Sequence, residues 1–191
     1  MPYSAQTHWS GCALRSNGRA LADEFDPIPT LSVLTRHEVR FVVIGGIAAI
    51  AQGYPLPTTD LDVTPARDGE NLGRLVTALR ELGGKLQLGG GGDPVTFPIE
   101  PRFLGEVDSW TLVTRHGSLG LLFAPAGTRG YDDLRRAAHE AELAEGLRVL
   151  VASLADVIRM KQASARPKDL AQLPALRQTL EVIRARERRP E

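Results

Sequence analysis

A chain of 191 residues, 42% of them hydrophobic, suffices for one compact core and is short for two. Its 23 basic and 23 acidic side chains cancel, so no global field marks a nucleic-acid coat protein, and any contact with a polyanion has to be local. Cys12 is the single cysteine, which excludes an intrachain disulfide and a cysteine-built metal site; with no apolar run of the roughly 18 residues a membrane span needs and no basic-then-apolar start, the expected compartment is the cytoplasm.

Residues 1–26 mix Ser, Gly, Asn, His and Trp9 without a period, and are expected to form a loosely held arm ahead of a domain over 27–191. From Ile28 a short helical stretch with Leu31, Val33 and Leu34 leads into the continuous apolar run Phe41, Val42, Val43, Ile44, which reads as a central, buried strand. Gly45 and Gly46 end that strand, and the residues from Ile47 to Ala51 form a short helix stopped by Gly53 and Pro55. Asp60, Leu61, Asp62 and Val63 are a second strand, halted by Pro65. Asp68 then opens a helix with apolar positions at Leu72, Leu75, Val76, Leu79 and Leu82.

Residues 88–101, with their glycine run, are expected to be a long mobile loop, a lid or a disordered tip. Two apolar runs, 110–114 and 119–123, flank Arg115, His116, Gly117 and Ser118 and read as a hairpin extending the same sheet. Residues 131–145, rich in alanine and charge, are expected to be helical; Leu147 to Val151 is a brief strand or link, and helices follow from Ser153. Strands and helices interleave, which gives an α/β class (α+β in the stricter sense): a mixed sheet with flanking helices and a helical C-terminal part.

Chemistry concentrates at two places. A buried strand turning into a helix at Gly45–Gly46 leaves bare backbone N–H groups that a phosphate can approach, although the same pair also serves as a plain tight turn. Asp60 and Asp62, two apart on a strand, project from one face while Leu61 and Val63 point into the core. Carboxylates at that spacing repel unless a cation lies between them, and hard oxygen ligands suit Mg²⁺; the alternative is a solvated strand edge. Thr58 and Thr59 either cap the turn or offer a hydroxyl to a phosphate oxygen, with Thr59 the candidate nucleotide contact.

Further along, Ser153 and Asp156 form an S-x-x-D helix start, and Lys161 falls on the apolar face of that helix with Leu154, Val157 and Ile158. A lysine there either snorkels to the rim or meets an acidic group or a phosphate. Pro167 suits the first turn of the next helix, with Asp169 near its positive end.

The order apolar strand, Gly-Gly, short helix, Thr-Thr, Asp-x-Asp resembles the nucleotidyltransferase superfamily with its polymerase-β-like palm. The segment SLADVIRMKQASARPKDLAQL is similar to the C-terminal motif of the AbiEii-like nucleotidyltransferases, a family that includes toxins of type IV toxin–antitoxin systems. The resemblance covers about 41–173. It implies transfer of a nucleotidyl group from an NTP to an acceptor hydroxyl, with tRNA as a possible acceptor and a small antitoxin as a possible partner. It also implies Asp60 and Asp62 as Mg²⁺ ligands, Lys161 and Asp169 as catalytic residues, and Gly45, Gly46, Thr59, Arg166 and Lys168 on the nucleotide.

One departure stands out: relatives carry an acidic residue on a later strand, where this chain has Gly120. Unless Asp169 or Asp108 substitutes, the rival reading is a non-catalytic nucleotide- or RNA-binding module. Alternation puts Gly120 on the cleft face, and Gly120→Asp is expected to be tolerated there and to tighten Mg²⁺ binding. A small-molecule transferase of the aminoglycoside-modifying kind is a third reading, which would lead one to expect an acidic cleft. His8, His37, His116 and His139 are scattered without metal-ligand spacing. The arginines after residue 183 suit the negative end of a helix as well as they suit RNA.

Overall fold

The computed structural model describes residues 25–89 and 92–188. The arm therefore lies outside the described residues except for its last two. The Phe25 ring lies against Gly117, and the Asp26 carboxylate accepts the Ile28 N–H at 2.9 Å.

In chain order the elements are α1 (Ile28–Arg36), β1 (Phe41–Ile44), α2 (Gly45–Ile50), β2 (Asp60–Pro65), α3 (Gly69–Glu81), β3 (Lys85–Leu86) and α4 (Pro101–Glu106). There follow β4 (Ser109–Thr114), β5 (Gly117–Leu122), α5 (Tyr131–Arg135), β6 (His139–Ala144), β7 (Leu147–Val151), α6 (Leu154–Ser164) and α7 (Pro167–Glu187). The strands form one mixed sheet in the order β3-β4-β5-β2-β1-β7-β6. β1 and β2 run antiparallel with Ile44 opposite Asp62, whereas β2 and β5 run parallel with Asp60 beside Ser118 and Asp62 beside Gly120.

The core follows from the apolar alternation. Leu61 and Val63 of β2 and Leu119 and Leu121 of β5 are fully buried on one face. All four residues of β1 are buried, as a strand covered on both faces requires. The α3 stripe of Leu72, Leu75, Val76 and Leu79 packs inward, and Asp68 caps that helix by accepting the Asn71 N–H.

Three expectations are corrected. Residues 131–145 are not one helix: α5 stops at Arg135 and β6 pairs antiparallel with β7 across a turn where Gly146 takes a φ of 72°. Alanine and glutamate favour helix locally, but pairing along one side with β7 makes this backbone an edge strand, and tertiary pairing overrides propensity. The described part of the 88–101 segment is also anchored at two points. Leu86 and Val95 exchange both backbone hydrogen bonds (2.8 and 2.9 Å), and Phe97 is buried, stacked on Trp110 with ring centroids 5.5 Å apart. Finally, Gly120, where a larger side chain is expected to be tolerated, is buried.

Candidate active site

The site is assembled where β1 ends and β2 begins. Asp60 and Asp62 are both half-buried, on the face opposite Leu61 and Val63, as their period-two spacing requires. Gly45 begins α2 at a φ of 66°, a left-handed conformation that favours glycine. A Cβ at Gly45 would also come within 2.8 Å of Asp62 Oδ2. At Gly46 a Cβ would come within 2.6 Å of both Cβ and Oγ1 of Thr58. Each glycine of the pair is thus bare because a side chain of the acidic segment occupies the space.

Burial, followed by the charge of Asp60, pushes the Asp62 carboxyl from its ordinary 3.8 up to about 6, and Lys168, Arg166 and Lys161 pull the other way. The start of α7 and the last turns of α6 lie close enough for their cations to act on Asp62, yet none of them forms an ion pair with it. The carboxylate pair therefore keeps an uncompensated charge, which fits a divalent cation. Among the described residues no third His, Cys, Asp or Glu joins the pair, so a cation held there would need its remaining ligands from substrate oxygens and water.

The C-terminal motif is built around Asp169, whose side chain is 3% exposed. Ser164 Oγ donates to Oδ2 at 2.5 Å, Arg166 Nε to Oδ2 at 2.7 Å and Lys161 Nζ to Oδ1 at 3.0 Å. Burial alone would raise this carboxyl, but the three hydrogen bonds outweigh it and lower it to about 2. Lys161 therefore meets an acidic group instead of snorkelling. Ser153 caps α6 in a reciprocal pair with Asp156, with distances of 3.2 and 2.8 Å, and this fixes the register that brings Lys161 to the Asp169 carboxylate. Lys168 is exposed and forms no ion pair among the described residues. Thr59 is exposed, and it is Thr58 whose hydroxyl donates to Asp60 Oδ1, at 2.6 Å. Sequence spacing picked out the threonine pair but not which member turns inward. Ser164 was missed altogether, since a serine in the last turn of a helix carries no signal.

Neither candidate for a substitute third carboxylate is free. Asp169 already accepts three hydrogen bonds, and Asp108, largely exposed, is paired with Arg67 at 2.6 Å beside Phe123, three residues along the chain from Gly120. Gly120 does lie on the face of Asp62, its neighbour across the parallel pair. A Cβ there, however, would overlap Asp62 Oδ1. The earlier expectation for Gly120 is thereby reversed: Gly120→Ala and Gly120→Asp should both swing the Asp62 carboxylate aside. Calorimetric titration with Mg²⁺ should show binding weakened severalfold, and unchanged or tighter binding would show that Asp62 does not need this space.

No protein-family model matches the sequence, and no curated protein does. Solved structures do match. The antibiotic-resistance factor ANT(2'')-Ia aligns over 84% of this chain and 89% of its own, with a TM-score of 0.51 at 18% identity. The lincosamide antibiotic adenylyltransferase LnuA, in its lincomycin-bound form, aligns over 78% of this chain and 93% of its own, with a TM-score of 0.51 at 12% identity. The chain has the nucleotidyltransferase fold. Within this nucleotidyltransferase fold the Asp60–Asp62 pair and the glycine turn lie on adjacent strands, and the α6–α7 junction brings its cations alongside. No helix among the described residues is long and apolar enough to cross a membrane.

Proposed function

We propose that the protein transfers a nucleotidyl group from an NTP to an acceptor hydroxyl. The observation that carries this reading is the convergence on Asp62: a half-buried carboxylate beside a second one, faced by Lys161, Arg166 and Lys168 from another part of the chain. Asp60 and Asp62 would hold Mg²⁺, which when bound draws charge off the triphosphate. Phosphate oxygens would lie against the bare backbone of Gly45 and Gly46, with Thr59 at the edge of the same turn. Lys161, held by Asp169, and the exposed Arg166 and Lys168 would balance charge that builds on the departing pyrophosphate. Asp169, saturated by three donors, acts through those cations and does not touch the reacting atoms.

The acceptor would lie on the open part of the sheet. Next to Gly120 on β4 stands Thr111, and next to Asp60 on β5 stands Ser118, so these strand positions beyond the acidic pair carry hydroxyls instead of carboxylates. That favours a neutral or anionic acceptor over a polycation, and tRNA, with an AbiEii-like toxin role, an antitoxin partner and a cytoplasmic setting, is the form we propose.

The test is incubation with Mg²⁺, each labelled NTP in turn and total tRNA. Labelled RNA, abolished by EDTA, is the expected result; cation and NTP binding without turnover would instead support the binding-module reading. Lys161→Met should cut any transfer by about 100-fold or more. Its stability cost should be only ~1 kcal/mol, because Asp169 keeps its bonds to Ser164 and Arg166 and the methionine keeps the stem packing. Retained activity or gross unfolding, read by a transfer assay and a thermal melt, would give Lys161 a structural role only.

A further inference from the structure

We propose that Thr58 is a positioning residue that couples the Gly45–Gly46 turn to the cation-holding Asp60. The inference deepens the functional reading and rests on the Asp60–Asp62 pair being a cation site. Thr58 is half-buried in the loop between α2 and β2. Its Oγ1 donates to Asp60 Oδ1 at 2.6 Å, a charge-assisted hydrogen bond. The same hydroxyl and the Cβ that bears it fill the space over Gly46, where an added Cβ would come within 2.6 Å of each. A single side chain therefore touches both the backbone proposed to receive phosphate and the carboxylate proposed to hold the cation.

Two consequences follow for Asp60. Its Oδ1 is committed to the Thr58 hydroxyl, which restrains the carboxylate plane and leaves the other oxygen available to a cation. The turn and the carboxylate also cannot shift independently, since displacing Gly46 presses on Thr58. Thr59, one residue on, makes no side-chain hydrogen bond among the described residues, so the role falls to Thr58 alone.

The experiment is calorimetric titration of the whole chain with Mn²⁺, comparing wild type, Thr58→Val and Thr58→Ser. Thr58→Val keeps the shape and removes the donor; it should weaken Mn²⁺ binding by about tenfold, the usual effect of losing a partner behind a metal ligand. Thr58→Ser should restore affinity to within about twofold of wild type. Equal affinities for Thr58→Val and wild type would overturn the proposal while leaving the cation site standing. Thr58→Ser as weak as Thr58→Val would show that a hydroxyl at this position does not rescue binding and overturn its role. No Mn²⁺ binding by wild type would remove the cation site itself, and the proposal with it. Should Thr58→Val not fold, Thr58→Ala removes the same donor and is read in the same way.

Discussion

Asp62→Asn should make the protein more stable at pH 7 while abolishing transfer. The Asp62 carboxyl titrates near 6 in the fold against an ordinary 3.8, first because it is buried and then because Asp60 is beside it. Between those values the folded state binds more protons than the unfolded one, so stability falls as pH rises from about 4 to about 6 and stays low above that. A shift of this size corresponds to as much as ~3 kcal/mol at pH 7. Asparagine carries no charge and escapes that loss. Chemical denaturation of wild type and Asp62→Asn at pH 4 and pH 7 should show the gap opening only at the higher pH, and Mg²⁺ should narrow it by stabilising wild type alone. A less stable Asp62→Asn at pH 7 would mean that Asp62 is compensated within the fold and has no call for a cation.

Asp169→Ala should have the opposite sign and a comparable size. The carboxylate is nearly sealed from solvent and holds Lys161, Ser164 and Arg166 together at the α6–α7 junction. Removing it leaves the Lys161 ammonium, 16% exposed, without a partner. Breaking a buried pair from one side costs about 3 kcal/mol, or roughly 10 °C in Tm for a chain of this length. Because the folded carboxyl lies near 2, below its ordinary 3.8, the stability it contributes is present above about pH 4 and is lost as pH falls toward 2. Lys168→Ala is the contrast: that side chain is exposed and forms no ion pair among the described residues, so its loss should leave Tm within about a degree or two. An Asp169→Ala protein melting with wild type would show that the three donors find other acceptors.

The parts of this site that are periodic were legible in the sequence. The alternation through Asp60, Leu61, Asp62 and Val63 gave the acidic face, the apolar run 41–44 gave the neighbouring strand, and Ser153 with Asp156 gave the start of α6. What failed was whatever depends on neighbours far away in the chain. β6 reads as helix because its own residues prefer helix; only β7 makes it a strand, and the Glu145–Gly146 turn was the available clue. The helix at 101–106 was announced by Pro101 at its first position and passed over inside a glycine-rich stretch. Gly120 illustrates the limit most sharply. Alternation placed it on the right face, but no spacing rule reveals that the Asp62 side chain lies across it.

The junction at Asp169 also sets the leverage of the last helix. α7 runs 21 residues from Pro167, roughly 30 Å at the usual rise, and its buried side chains, Asp169, Leu173 and Leu176, all lie in its first half. Beyond them Leu180 and Ile183, half-buried, still pack against the core, so the helix is anchored along most of its length and a turn of the grip at Asp169 would be passed on only to its last residues. Phosphate groups that drew Lys161 and Arg166 away from Asp169 would act at the anchored end. A fluorophore at Arg188, past the last of these contacts, would then report whether such a change reaches the outer end of α7.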